Sequence, residues 1–262
     1  MTTPPRLFVV TATASPQAMI LRRGPSGQVA TLGWNRDTDE ITMGQWLKGR
    51  IYEHRCDLSP DGAHFIYFAG TGQRWWTAIS RAPYLHALYF LPQDSTWQGG
   101  GAFSAPGTFW LNGGSGPAPE TRELQQDPDP QAFPHSTDGF HLGDLYATRM
   151  AQRGWTASGT RYDTRLEKPL SPNVSLIQTI AIGSKKRALV SSAFGLFEPK
   201  TGTETAVPKW EWADLWNGAL HVATGGVLWR AKVDDDEVTL TEPIHDFSEM
   251  SFEAIRAPYD RG

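Results

Sequence analysis

Apolar and polar residues alternate along much of this chain with a period of two, the signature of β-strands. Val227 to Val233 shows it most plainly. Val227, Trp229, Ala231 and Val233 take one side and Arg230 and Lys232 the other, which predicts a strand with one face in water. Two runs differ. In Phe65 to Ala69, Ile66 and Phe68 form one side and Phe65, Tyr67 and Ala69 the other. In Leu85 to Leu91, Leu88 and Phe90 stand against Leu85, Ala87, Tyr89 and Leu91. A strand apolar on both sides is covered on both sides, so inner and outer strands are predicted together.

Further strands are predicted at 7–14, 28–34, 41–46, 50–58, 75–80, 109–111, 154–161, 173–182, 188–197, 203–207 and 210–215, separated by Gly- and Pro-containing turns. Residues 142–153 read two ways. Leu142, Leu145, Tyr146, Arg149 and Met150 recur at helical spacing with Gly154 as a cap, whereas Leu145, Ala147 and Arg149 fit one face of a strand. Residues 113–139 hold Pro117, Pro119, Pro128, Pro130 and Pro134 among acidic residues and have no apolar period. They are expected to form a surface loop inserted in a single domain spanning 1–262. The tail from Leu240, with Pro243 and Pro258, reads as irregular.

Two blocks echo each other. Asp57-Leu58-Ser59-Pro60-Asp61-Gly62 runs into a strand ending at Ala69, and Asp214-Leu215-Trp216-Asn217-Gly218 runs into one ending at Ala223. Asp-Gly and Asn-Gly between apolar runs are strong hairpin signals, because both residues accept positive φ. The acids and glycines of both blocks, Asp57 and Asp214 included, are therefore read as turn chemistry. The first block resembles the Ser-Pro-Asp-Gly turn of TolB-type and WD-type β-propeller repeats. That resemblance covers one full and one partial repeat, and no His-Gly or Trp-Asp dipeptide closes a blade. It implies an all-β propeller, which at the usual repeat length has about five or six blades. A β-sandwich or another all-β fold is the alternative.

Composition narrows the function classes. The 262 residues carry 24 basic and 28 acidic side chains, a net charge of −4, and this gives no electrostatic footprint for nucleic acid. Lys185-Lys186-Arg187 is read as a solvated turn. The single cysteine, Cys56, forms no internal disulfide. No apolar run approaches the length of a membrane span and no signal peptide is recognisable, so a cytoplasmic protein is expected.

Candidate chemistry is sparse. The seven histidines, at 54, 64, 86, 135, 141, 221 and 245, form no His-x-x-x-His pair, and no metal site or cofactor is expected. His54 and Cys56 share a face of the predicted 50–58 strand, where a core role is favoured. Asp234-Asp235-Asp236-Glu237 reads as a hairpin tip. The loops Gln98–Gly101 and Asn112–Gly116 lack a phosphate-binding frame, and Ser115 lacks a nucleophile elbow. Glu53, Asp57, Asp144, Glu211 and Asp214 are the carboxylates from which a glycosidase-like pair would be drawn. Arg74, Trp75, Trp76 and Arg81, with Trp110 and Asn112, are the candidate binding residues, because tryptophan flanked by arginine suits an interface anchor or a sugar platform. The expected function is a non-catalytic scaffold presenting loops to a protein partner. A glycoside or lactone hydrolase with carboxylates at the propeller mouth, or a sensor of a small ligand, is the alternative.

Overall fold

The structure is a computed structural model that describes residues 3–24, 27–113, 116–129, 133, 141–183, 189–235 and 237–261. The fold is all-β, built of five sheets that follow one another along the chain. The first holds β1 (Arg6–Thr11), β2 (Gln17–Arg23), β3 (Gln28–Asn35) and β4 (Ile41–Lys48). The second holds β5 (Arg50–Ile51), β6 (Asp57–Leu58), β7 (His64–Thr71), β8 (Arg74–Arg81) and β9 (Ala87–Gln93). The third holds β10 (Gly101–Ala105), β11 (Thr108–Leu111) and β12 (Gln125–Gln126), with β12 pairing parallel to β11. After α1 (Leu142–Ala151), the fourth holds β13 (Thr156–Gly159), β14 (Asp163–Pro169), β15 (Ser175–Ile182), β16 (Val190–Glu198) and β17 (Thr203–Ala206). The fifth holds β18 (Trp210–Trp216), β19 (Ala219–Thr224), β20 (Val227–Asp234) and β21 (Glu237–Asp246). Five meandering sheets fall within the predicted range of blades, and a two-sheet sandwich does not describe them.

The chain divides into two compact units. The larger comprises Val9–Leu145 and Ser251–Gly262, the smaller Met1–Phe8 and Tyr146–Met250. In the larger unit Ile66, Ile79, Tyr89, Phe103, Phe109, Leu111 and Leu124 form one buried cluster. Leu124 and Phe133 are buried, so the Pro-rich stretch is not wholly superficial. In the smaller unit, β18 and β19 are buried over their middles while β21 is mostly exposed.

Several expectations need correction. Residues 50–58 are not one strand: a 3-10 turn at Glu53–Arg55 separates β5 from β6, so His54 and Cys56 do not share a strand face. The run containing β9 is not covered on both sides, since β9 is an edge strand and Phe90 is 53% exposed. β20 departs from simple alternation, because the ladder to β21 is irregular at Leu228/Trp229 and Arg230/Ala231 and Leu228 is the residue fully buried. The tail is not irregular from Leu240, because β21 runs to Asp246 as an outer strand in which Pro243 costs little. β2, β10, β12 and β14 are further strands absent from the sequence reading, β12 within the stretch expected to be a loop. Residues 142–151 are helical.

The two echoed turns differ in mechanism. Asn217 (φ 47°) and Gly218 (φ 78°) are both left-handed, as a two-residue hairpin requires. In the earlier turn Gly62 (φ 78°) has positive φ and Asp61 does not. There Asp61 Oδ1 accepts from the Ser59 hydroxyl (2.6 Å) and the Ala63 N–H (3.1 Å) instead.

Candidate functional site

An aromatic cavity of about 320 Å³ opens in the larger unit, lined by Gln45, Trp46, Leu47, Tyr67, Trp76, Leu85, His86, Ala87 and Phe90. Strand geometry explains the convergence. Trp46 comes from β4, the last strand of the first sheet. Tyr67, Trp76 and Phe90 come from three adjacent strands of the second, where Ala78 pairs with both Tyr67 and Phe90. Trp76 is two residues from Ala78 and therefore on the same face. The Trp76 and Phe90 rings lie 6.1 Å apart at 32°.

The polar groups behind these rings are already engaged. The Tyr67 hydroxyl donates to Leu85 O at 2.6 Å. Burial pushes its pKa upward, against an opposing hydrogen bond with Trp76. Gln45 Oε1 accepts from the Leu85 (2.7 Å) and His86 (2.9 Å) N–H groups, and its Nε2 donates to Ile255 O at 2.8 Å. The cavity thus offers ring faces rather than free amide or hydroxyl groups. Its volume is at the low end of the about 300–1,000 Å³ of ligand pockets, a size suited to a small group.

The C-terminal segment borders this site. Phe252 packs on Trp46 at 6.0 Å, and the Lys48 ammonium lies 4.3 Å from the Phe252 ring. The Tyr259 hydroxyl donates to His86 O at 2.7 Å, and its ring lies under the Arg81 guanidinium at 4.9 Å. Arg81 also grips Glu123, with Nε 2.9 Å from Oε2 and Nη2 2.5 Å from Oε1, while His64 Nε2 lies 3.3 Å from Oε2. The Arg81 hydrogen bonds hold the Glu123 carboxyl at a pKa of about 2, although its partial burial acts the other way.

The predicted binding residues separate. Trp76 lines the cavity. Trp75 packs over Gly70, where an added Cβ would lie 2.5 Å from its ring. Both tryptophans are half-buried. Arg74 is exposed at the start of β8, and Arg81 is committed to Glu123 and Tyr259. Trp110 is buried with its ring 5.2 Å from that of Phe133. Asn112 is buried, and its backbone exchanges hydrogen bonds with Gly99 (2.8 Å) and Gly100 (3.0 Å). Trp46 and Phe90 were missed as site residues, because a tryptophan or phenylalanine in a strand reads as core until its neighbours are known.

Most of the candidate carboxylates carry structural contacts. Asp57 is buried on β6 and its Oδ2 accepts the Phe103 N–H of β10 at 2.9 Å. Asp214 on β18 takes Lys168 Nζ of β14 at 2.6 Å. Both acids tie neighbouring sheets, which corrects their reading as turn residues. Glu53 binds Arg23 at 2.5 Å. Burial alone would raise its pKa, but His54, Arg23 and Arg50 and a backbone hydrogen bond turn the shift downward. Glu211 accepts the Leu7 N–H at 2.9 Å, and burial raises its pKa. Asp144 is half-buried on α1.

Cys56 is buried with Sγ 3.3 Å from Tyr52 O. Among the described residues no group of three or more His, Cys, Asp or Glu gathers as metal ligands, and no helix is long and apolar enough to cross a membrane. His135, Ser115, Asp236 and Lys185–Arg187 lie outside the described residues.

No protein-family model matches the chain, and no curated protein is recognisably similar to it. Among solved structures, an acylaminoacyl peptidase in complex with Z-Gly-Gly-Phe-chloromethyl ketone is similar with a TM-score of 0.31 and 10% identity, over 92% of this chain and 46% of that one. The tricorn protease is similar with a TM-score of 0.26 and 12% identity, over 90% of this chain and 27% of that one. The chain thus spans less than half the length of either. Likenesses this distant assign neither family nor activity.

Proposed function

We propose that the protein is a non-catalytic recognition module of propeller type, of the TolB kind, which receives an apolar side chain of a protein partner in the cavity beside Trp76. The observation that carries this reading is the wall of Trp46, Tyr67, Trp76 and Phe90, whose nearby hydroxyl and amide groups are already hydrogen-bonded within the protein. Such a wall rewards apolar contact, and neither the Tyr67 hydroxyl nor the Gln45 amide is left over for a polar ligand. Phe90, 53% exposed at the edge of its sheet, supplies apolar surface at the mouth. The hydrolase reading needs two convergent carboxylates, whereas Glu53, Asp57, Glu211 and Asp214 each hold a structural partner.

The test places a photo-crosslinking benzoylphenylalanine at position 90 of the full chain in its native cells. A discrete adduct that disappears when Trp76→Ala is added is the expected result. An adduct pattern indifferent to Trp76→Ala overturns the reading. Glycoside or lactone hydrolysis that survives the same substitution points to the hydrolase instead.

A further inference from the structure

Two exposed cations stand next along the strand from the cavity's two tryptophans. Arg74 stands two residues before Trp76 on β8, and Lys48 two residues after Trp46 on β4. Side chains two apart on a strand share a face and are spaced by about 7 Å. Each of the two tryptophans therefore has a cation one pleat away. Both cations are exposed. Lys48 rests on the Phe252 ring at 4.3 Å, which holds its charge on the Trp46 side. The Arg22 guanidinium also lies 5.6 Å from the Trp46 ring, but Arg22 is buried and is not a rim charge. None of the residues that line the cavity is a carboxylate. Asp260, 3.9 Å from His86, is itself paired with Arg256 at 3.2 Å.

We propose that the occupant is an acidic segment of a partner protein: an apolar side chain enters between Trp46 and Trp76 while flanking carboxylates meet Arg74 and Lys48. This rests on the recognition reading above and names the chemistry of its partner. A basic segment or an organic cation would gain from the ring faces and lose to two like charges. A neutral segment would use the rings and leave the rim unanswered. Screening at physiological salt acts over about 8 Å, so carboxylates beside the anchor are felt and remote ones are not. The chain's overall charge of −4 opposes an acidic partner at long range, which makes local complementarity the discriminating term.

The test uses fluorescent model peptides and polarisation with the full chain. The probes are Asp-Asp-Phe-Asp-Asp, its Asn and Lys counterparts with the same Phe, and an acidic peptide with Ala in place of Phe. The acidic Phe peptide is expected to bind about ten-fold more tightly than the Asn peptide at low salt, with the gap closing as salt rises. Arg74→Glu with Lys48→Glu should reverse the order of the Asp and Lys peptides. Both positions are exposed, so folding should survive; should it not, the salt dependence of the unmodified chain decides. Equal affinity for the Asp and Asn Phe peptides, both lost on Trp76→Ala, overturns the acidic partner and leaves apolar recognition standing. An acidic Ala peptide that binds as well as the Phe peptide overturns the cavity reading itself, and so does failure of every peptide to bind.

Discussion

Replacing Glu123 by glutamine isolates the charge of one carboxylate while keeping its shape. Glu123 lies between Arg81, which donates to both of its oxygens, and His64, whose Nε2 is 3.3 Å away. These contacts move its pKa from an ordinary 4.5 to about 2. Unscreened, a depression of that size is worth about 3 kcal/mol, at 1.36 kcal/mol per unit. The Glu123 side chain is 31% exposed and that of Arg81 44%, so solvent screening reduces the expected contribution to about 1–2 kcal/mol. The sign follows from the depressed folded value. The stabilisation is complete above pH 4.5, where the unfolded carboxyl is also ionised, and is lost as pH falls through about 2. Urea unfolding of wild type and Glu123→Gln, followed by tryptophan fluorescence at neutral pH and near pH 2.5, gives the comparison. The variant should be about 1–2 kcal/mol less stable at neutral pH, with most of the gap gone at the acid end. Arg81→Met should cost less in the Glu123→Gln background than in wild type, by the shared ion pair, and there lose only its stacking on Tyr259. Equal stability at neutral pH, or a gap of the same size at both pH values, would refute the argument.

Three other perturbations test separate parts of the fold. Lys168→Ala strands the buried Asp214 carboxylate and should cost about 3–5 kcal/mol, with Lys168→Ala/Asp214→Ala regaining part of it in thermal unfolding. Gly218→Ala meets nothing within 4 Å and should cost only its positive φ, about 1 kcal/mol, whereas Gly62→Ala also drives a Cβ to 2.3 Å from Gln17 Cβ and should lose clearly more by the same assay. Tyr259→Phe removes a hydroxyl bonded to His86 O (2.7 Å) and Arg81 N (3.2 Å) and should cost about 1 kcal/mol at neutral pH. Burial pushes the Tyr259 pKa from 10.0 to about 12, so the folded chain keeps a proton the unfolded chain has lost, and stability falls as pH rises between those values. Ultraviolet titration should show one late-ionising tyrosine fewer in the variant.

The strand content was legible because most strands carry one apolar face, and a period of two survives without knowledge of neighbours. What failed did so for identifiable reasons. β21 is polar on an outer edge and holds Pro243, so it shows no apolar stripe. β9 looked doubly covered because Leu88, Phe90 and Leu91 are apolar, yet an edge strand leaves Phe90 in water. The 3-10 turn at Glu53–Arg55 interrupts a run whose composition is continuous on both sides. Of the candidate site, Arg74, Trp76 and Arg81 were legible as a cluster on one strand. Their division into rim cation, cavity wall and Glu123 anchor depends on β4, β9 and residue 123, which are distant in sequence.

The echoed blocks give two of the chain's candidate acids a structural role. Asp57 and Asp214 occupy the same place in each block, the first residue of an Asp-Leu pair. Each reaches across to the neighbouring sheet within its own unit, Asp57 to the Phe103 N–H and Asp214 to the Lys168 ammonium. A residue that recurs with the repeat and ties neighbouring sheets in both places, by a backbone hydrogen bond in one and an ion pair in the other, is accounted for by assembly of the sheets. Its burial, 1% exposed for Asp57 and 5% for Asp214, is then the cost of a directional bond where apolar packing alone would not set register. Phe90 and Arg74 are the opposite case. Both lie outside the echoed blocks, and each leaves its characteristic group at the surface. Residues that the echoed turns do not require, and that expose apolar area beside a surface cation, are where the proposed recognition is most directly tested.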